Sequence, residues 1–219
     1  MSANGFWVFQ QGVLWAVDVG DSDLPPPVEP RMAARFAECG PEDGRALAQA
    51  MGRDDVQGIE RQLRGARRCF AAWVGEEIAS YCWLSVGEEE VGEMERTINL
   101  PAGEGYIWNC ATLPRFRRQR LYTALLNFMI RRLADEAFRR VWVGANRENR
   151  PSLSAFDTAG FRPAAVMTYA RLFWLSVLYV SAGSGAPDDL VDAARNLFRM
   201  AEEGQLGPFI VGWRHGASG

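Results

Sequence analysis

The stretch Pro114-Arg115-Phe116-Arg117-Arg118-Gln119-Arg120-Leu121-Tyr122-Thr123-Ala124-Leu125-Leu126 decides the fold. Before it, Tyr106 to Leu113 reads as an apolar strand that ends at Pro114. After it, Leu121, Leu125, Phe128, Met129 and Leu133 recur at helical spacing and predict a helix from about Gln119 to Ala137. Four of the six residues 115–120 are arginines. Loop amides and the positive end of a helix hold a phosphate without lysine. On spacing alone, the junction fits such a cradle and an ordinary solvated basic loop equally.

Working outward, Arg140 to Ala145 is a buried strand. Asn149 is a good N-cap for a short helix that Gly160 ends. Phe161 to Val180 is rich in strand formers, Pro187 to Ala201 is an amphipathic helix, and Pro208 to Trp213 is a last strand. Upstream, Ala33 to Cys39 is a short strand, and Gly40-Pro41-Glu42-Asp43 opens a helix with proline and two acids in its first turn. Val56, Ile59 and Leu63 mark a second helix. Arg68–Val74 and Glu77–Val86 form a hairpin at Gly75-Glu76, and Glu88 to Glu95 reads as an acidic loop. A symmetric turn there would set Cys69 opposite Cys82. Two reduced buried cysteines are the default reading for that pair.

Residues 5–18 read as a β-hairpin, FWVF and VLWAV around Gln10-Gln11-Gly12. Such a hairpin is too short to stand alone and must pack on the domain, on a second copy or over a cleft. Residues 19–30 hold four prolines and form a stiff linker. Helices set among meander strands imply an α/β chain of the α+β kind. Its central sheet would be mixed and mostly antiparallel, flanked by helices, with an added N-terminal hairpin and C-terminal helix. The expected division is 1–31 (hairpin and linker), 32–180 (main domain) and 181–219 (a helix and strand packed on it).

Composition narrows the chemistry. The chain has 219 residues and a formal net charge of −3, which does not favour nucleic acid or an anionic membrane. All 24 basic residues are arginine, so Schiff-base chemistry and lysine phosphate grips are excluded. The single histidine, His215, lies near the end, away from any triad or metal-ligand spacing. Cys39, Cys69, Cys82 and Cys110 lack CxxC spacing, so no metal is expected. The start, MSANGFWVFQ, lacks a basic signal region, and the apolar run Leu172–Val180 is too short to span a bilayer. A cytoplasmic protein is the expectation. The Leu172–Val180 run reads as a central strand, with a pocket wall or a homodimer contact as alternatives.

Residues 32–175 resemble the GNAT superfamily of N-acetyltransferases. The family pattern is a strand ending in proline, then Arg-Gly-x-Gly-x-Gly/Ala opening a helix, then Ala/Leu-Leu, which residues 114–126 follow in outline. Asn149, Ser152, Phe156 and Gly160-Phe161 match its downstream Asn-x-x-Ala/Ser, aromatic and Gly-Phe spacing, and Pro41-Glu42-Asp43 fits its first helix start. The resemblance implies acetyl-CoA in a V-shaped gap between the fourth and fifth strands. The backbone of Ala111, Thr112 and Leu113 would pair with the pantetheine arm and polarise the acetyl carbonyl. The amides of Arg118, Gln119, Arg120, Leu121, Tyr122 and Thr123, with Arg117 beside them, would cradle the pyrophosphate. Asn149, Ser152 and Phe156 would meet the arm from the other side. The implied reaction is direct acetyl transfer to the amine of a small molecule or amino-acid-like acceptor.

The chain departs from the family in three ways. Its Gly-x-Gly positions are Arg118, Arg120 and Tyr122, where glycine normally permits positive φ. Phe156 stands where many members carry a tyrosine that protonates the leaving thiolate, which leaves Tyr122, Ser154, Tyr169 or solvent. No acid falls within the fourth strand. Glu104 just before it is the candidate base, with Tyr106 or Asn109 to orient a water, and Glu88, Glu89, Glu90, Glu93 and Glu95 as more distant acids. Two rival readings stay open: a non-catalytic acyl-CoA-binding module and an arginine-patch nucleic-acid binder. A longer acyl thioester donor is also open.

Overall fold

Leu14 and Ala16 point to one side of the first strand, β1 (Trp7–Asp18), while Trp15 and Val17 point to the other. Packed layers cover both of its faces, and neighbouring strands pair with both of its edges. The structure is a computed structural model describing residues 7–20, 24–94, 96–173, 175–198, 205–206 and 209–213. Phe6, Glu95, Trp174, Ala201, Pro208 and His215, which entered the sequence reading, lie outside the described residues.

The elements that follow are β2 (Arg35–Cys39), α1 (Gly44–Met51), α2 (Val56–Leu63), β3 (Arg68–Val74), β4 (Glu77–Ser85), β5 (Glu88–Val91) and β6 (Arg96–Asn99). Then come β7 (Glu104–Thr112), α3 (Leu121–Asp135), β8 (Arg140–Asn146), α4 (Arg150–Thr158), β9 (Arg162–Leu172), β10 (Leu175–Ala182), α5 (Asp188–Leu197), β11 (Gln205–Leu206) and β12 (Phe209–Trp213). Ten strands form one sheet in the order β11-β12-β10-β9-β1-β8-β7-β4-β3-β2. The β7–β8 pair is parallel, and every other pairing among the described residues is antiparallel. This is the expected mixed, mostly antiparallel sheet flanked by helices.

Strand alternation divides the core between two faces. On one face, α3 and α4 cover Phe70, Cys82, Ile107, Val141 and Val143. The opposite face carries α1 and α2 over Cys69, Trp73 and Trp83, and the β5–β6 hairpin with α5 over Leu14, Trp142, Met167 and Val180. The proline-rich linker runs along α3. The Val28 amide donates to Oδ1 of the buried Asn127 (2.8 Å), and the Arg31 amide to the Gln119 carbonyl (2.9 Å).

Four expectations need correction. The N-terminal hairpin is one strand: β1 pairs with β8 from Gly12 to Asp18 and with β9 from Trp7 to Ala16. Gly12 is a packing glycine rather than a turn glycine, because a Cβ there would meet Met94 Cε at 2.8 Å and Met167 Cε at 3.2 Å. β1 and β12 share one sheet with the strands of residues 32–180 other than β5 and β6. The acidic stretch from Glu88 is a strand, with Glu89 and Val91 buried and Glu88 and Glu90 exposed. A bidentate ion pair with Arg67 (2.8 and 3.0 Å) and a bond from Ser85 satisfy the Glu89 carboxylate.

The thiol register also differs. A bulge between Ala72 and Trp73 shifts the β3–β4 pairing by one, so Cys69 faces Trp83 and Phe70 faces Cys82. Cys69 instead stands opposite Cys39 of β2, and all four cysteines are free thiols. The Leu172–Val180 run is two strands, β9 and β10, meeting in a turn at Phe173.

Candidate acyl-donor site

The parallel pair β7–β8 is short. Its register runs from Glu104↔Arg140 to Ile107↔Val143 and stops. Beyond it, β7 stays with β4 through Thr112, and β8 stays with β1 through Asn146. The two strands part, leaving a V whose apex lies at Ile107 and Val143. Just past the apex β7 carries a bulge: Asn109 and Cys110 together stand opposite Cys82, because Tyr81 pairs with Ala111 and Trp83 with Trp108. Asn109 adopts a left-handed φ of 44°, which re-aims the strand edge toward the gap.

The loop after β7 leads to the N-terminus of α3. Arg118 (φ 65°) and Arg120 (φ 59°) are both left-handed. These are two of the positions where the sequence pattern calls for glycine, so the backbone has kept the glycine conformation with arginine side chains. Each such residue costs about 1–2 kcal/mol. The geometry gained is a run of six amides, Arg118 through Thr123, that donate to no acceptor among the described residues. The first amide used is that of Ala124, to the Arg120 carbonyl (3.0 Å). Unused amides at a helix N-terminus, beside two exposed guanidiniums, form a site for an anion with several oxygens.

The four arginines divide by partner. Arg115 pairs with Glu77 and stacks on Phe116. Arg117 donates from Nε to the Thr112 carbonyl (3.2 Å) and ties the loop to the end of β7. Arg118 and Arg120 make no ion pair among the described residues.

The other expected positions fall as follows. Ala111, Thr112 and Leu113 are half-buried along the β7 side of the gap, and Ser80 Oγ anchors them through the Ala111 carbonyl (3.0 Å) and Thr112 Oγ1 (2.9 Å). Asn149 caps α4 through Oδ1, which accepts the Ser152 amide (3.3 Å), and Ser152 is half-buried beside it. Leu121 is buried and offers only its amide. Phe156 is a core residue, 1% exposed, with ring centroids of Trp15, Phe161 and Tyr122 at 6.0, 6.1 and 6.4 Å. Its side chain supports the site from beneath rather than lining it.

Glu104 does not reach the apex. It starts β7 at the closed end of the V, accepts from Trp142 Nε1 (2.6 Å) and pairs with Arg139. A carboxylate held by an indole and a guanidinium anchors this end of the strand. We expect Glu104→Ala to cost about 2 kcal/mol by leaving the buried indole N–H without an acceptor. Chemical denaturation should register that loss.

Tyr106 does reach the apex. A Cβ on Gly144 would stand 3.2 Å from its hydroxyl, so the hydroxyl lies over β8 where the strands part. Sequence reasoning missed Gly144 and the Ser80–Thr112 link. A glycine inside a strand is the one signal that pointed to a close approach there.

A mixed sheet parted at a parallel pair, with an amide cradle on the next helix, is the architecture of an acyltransferase. The family model of the acetyltransferase (GNAT) family matches residues 32–161, and the chain belongs to that family. Comparison with curated proteins finds no match.

Solved structures share the fold at low identity. A GCN5-related N-acetyltransferase from Sphaerobacter thermophilus is 15% identical with a TM-score of 0.56, over 74% of this chain and 50% of that one. A GNAT-family structure from Novosphingobium aromaticivorans is 14% identical with a TM-score of 0.53, over 78% and 68%. A GNAT acetyltransferase from Colwellia psychrerythraea is 14% identical with a TM-score of 0.52, over 76% and 57%. The match thus spans only about half the length of the first and last of these chains.

Proposed function

We propose that this protein transfers an acetyl group from acetyl-CoA to the amine of a small molecule or amino-acid-like acceptor by direct attack. The observation that carries the reading is the row of six unused amides between Arg118 and Thr123, which suits a pyrophosphate. Acetyl-CoA supplies the activated thioester. The chain's residues bind and orient it: Arg118, Arg120 and the cradle amides at the phosphates, with the β7 edge at Ala111–Leu113 beside the pantetheine arm. Asn149 and Ser152 face the arm from α4. The bulged backbone at Asn109 and Cys110 is placed to polarise the acyl carbonyl.

The acceptor enters on the face that carries Tyr106. There the tyrosine hydroxyl orients a water that takes the ammonium proton. Orientation and carbonyl polarisation carry most of the acceleration, because a coenzyme A thiolate is already a tolerable leaving group.

The test is thermal unfolding with and without acetyl-CoA, followed by a free-thiol assay over a panel of amines. Ligand at about 100 times its dissociation constant adds ~2.7 kcal/mol, an upward shift of roughly 5–10 °C for a chain of this size. No shift at millimolar acetyl-CoA, coenzyme A or long-chain acyl-CoA removes the reading.

A further inference from the structure

The proline-rich linker touches α3 and its leading loop in regular steps. The Pro25 carbonyl accepts from the Arg131 guanidinium, the Val28 amide donates to Asn127 Oδ1 (2.8 Å), and the Arg31 amide donates to the Gln119 carbonyl (2.9 Å). Contacts at every third residue have the period of a polyproline II helix. Pro26, Pro27 and Glu29 fall between them and are exposed. The lengths agree as well. The stretch from Pro25 to Arg31 spans about 19 Å at polyproline rise. Gln119 to Arg131 spans about 18 Å at helical rise. The linker therefore runs antiparallel to α3 with no slack.

Both of its ends are seated. A Cβ on Gly160 would stand 2.6 Å from Pro25 Cγ, so the chain leaving α4 packs directly on the linker. Asn127 is 2% exposed and ties the same region through Nδ2 to the Ala159 carbonyl (3.5 Å). At the other end, Met32 and Ala34 pack with Phe116 and Leu121 against Ala72 and Ala79.

Gln119 stands between Arg118 and Arg120, both left-handed. Among the described residues, the Arg31 amide makes the one hydrogen bond from another segment to the backbone of residues 118–120. A trans peptide is planar, and its C=O and N–H point in opposite directions. The Gln119 carbonyl and the Arg120 amide share one trans unit. Holding the carbonyl toward the linker turns the Arg120 N–H the other way, and that N–H is one of the cradle amides without an acceptor. The bond to the carbonyl also polarises the unit and makes its N–H a stronger donor.

Resting on the acetyl-CoA reading above, we infer that the linker is a strap that positions the phosphate cradle, with the Arg31 amide as the positioning group. Strap and anion hold opposite ends of one peptide unit, so each strengthens the other's grip. The strap keeps residues 118–120 in a conformation that arginine resists. It gives a segment that precedes the matched family region, which begins at Met32, a part in donor binding.

The test compares two substitutions at one position. Arg31→Ala removes the guanidinium and keeps the amide. Arg31→Pro removes both, and the fixed φ of proline suits a polyproline strap. Calorimetric titration with coenzyme A should give a dissociation constant about tenfold higher for Arg31→Pro than for Arg31→Ala. Thermal unfolding without ligand reads the fold separately. Equal dissociation constants overturn the assignment whatever the change in Tm, because a merely structural tie lowers the melting temperature alone.

Should Arg31→Pro not fold, wild type decides by amide hydrogen exchange. Saturating coenzyme A should slow exchange at Arg31 about tenfold more than at Val28, whose bond goes to Asn127 and not to the cradle. Equal slowing at the two amides overturns the strap and leaves donor binding standing. Failure of coenzyme A to bind wild type, seen as no thermal shift, removes the donor site and the strap's role together.

Discussion

A chain that begins at Met32 is expected not to fold, although the family match begins at that residue. Removing β1 takes a strand from the middle of the sheet and exposes the facing edges of both β8 and β9. It also removes Leu14, Ala16, Val17 and Val19, all under 10% exposed, from two cores at once. At roughly 1.5–3 kcal/mol for each large apolar side chain, together with the lost ladder bonds, the deficit reaches the whole of a stability of about 5–15 kcal/mol. Far-ultraviolet circular dichroism and thermal unfolding of the 32–219 fragment should show no cooperative transition. A cooperative transition near the full-length Tm would mean that β8 and β9 close the sheet without β1.

The second large effect is expected at the cradle. Arg118→Glu with Arg120→Glu places two negative charges beside the unused amides. Each lost charge-assisted contact is worth about 1.5–3 kcal/mol, so acetyl-CoA affinity should fall by roughly 100-fold or more. Stability without ligand should hardly change, because glutamate and arginine bear similar strain in left-handed conformation.

The paired change Arg118→Gly with Arg120→Gly should act in the other direction on stability. Glycine relieves the left-handed strain at φ 65° and 59°. Relief of about 1 kcal/mol at each position raises Tm by several degrees, while binding keeps the contribution of the amides and loses that of the guanidiniums. Calorimetric titration with acetyl-CoA and thermal unfolding separate the two quantities. A glycine pair that melts no higher than wild type would show that the loop does not hold its arginines in strained backbone.

Part of this molecule is readable in one dimension. The α3 face, the Asn149 cap, the Gly75-Glu76 turn and the pairing of β3 with β4 follow local rules of periodicity, capping and turn chemistry. The anion cradle is legible as well, because a strand ending in proline and a basic junction precede an amphipathic helix. Its left-handed backbone is not, since arginine gives no signal of positive φ. The surroundings of Glu104 and Phe156 are not legible in one dimension, for a shared reason. Both stand at plausible spacing along the chain, but the neighbours that claim them, Trp142 and Arg139 for one and Trp15 and Tyr122 for the other, come from distant segments.

The sequence by itself determined the helix that bears the candidate donor site, the class of sheet, and the absence of lysine that leaves anion binding to amides and arginine. The tertiary structure alone decided where β1 goes and which acids are spent as anchors. The physical reason is range. Periodicity, caps and turns act over a few residues. Strand order, register shifts at a bulge and the face on which a side chain lands depend on partners more than a hundred positions away, such as Leu14 and Gly144.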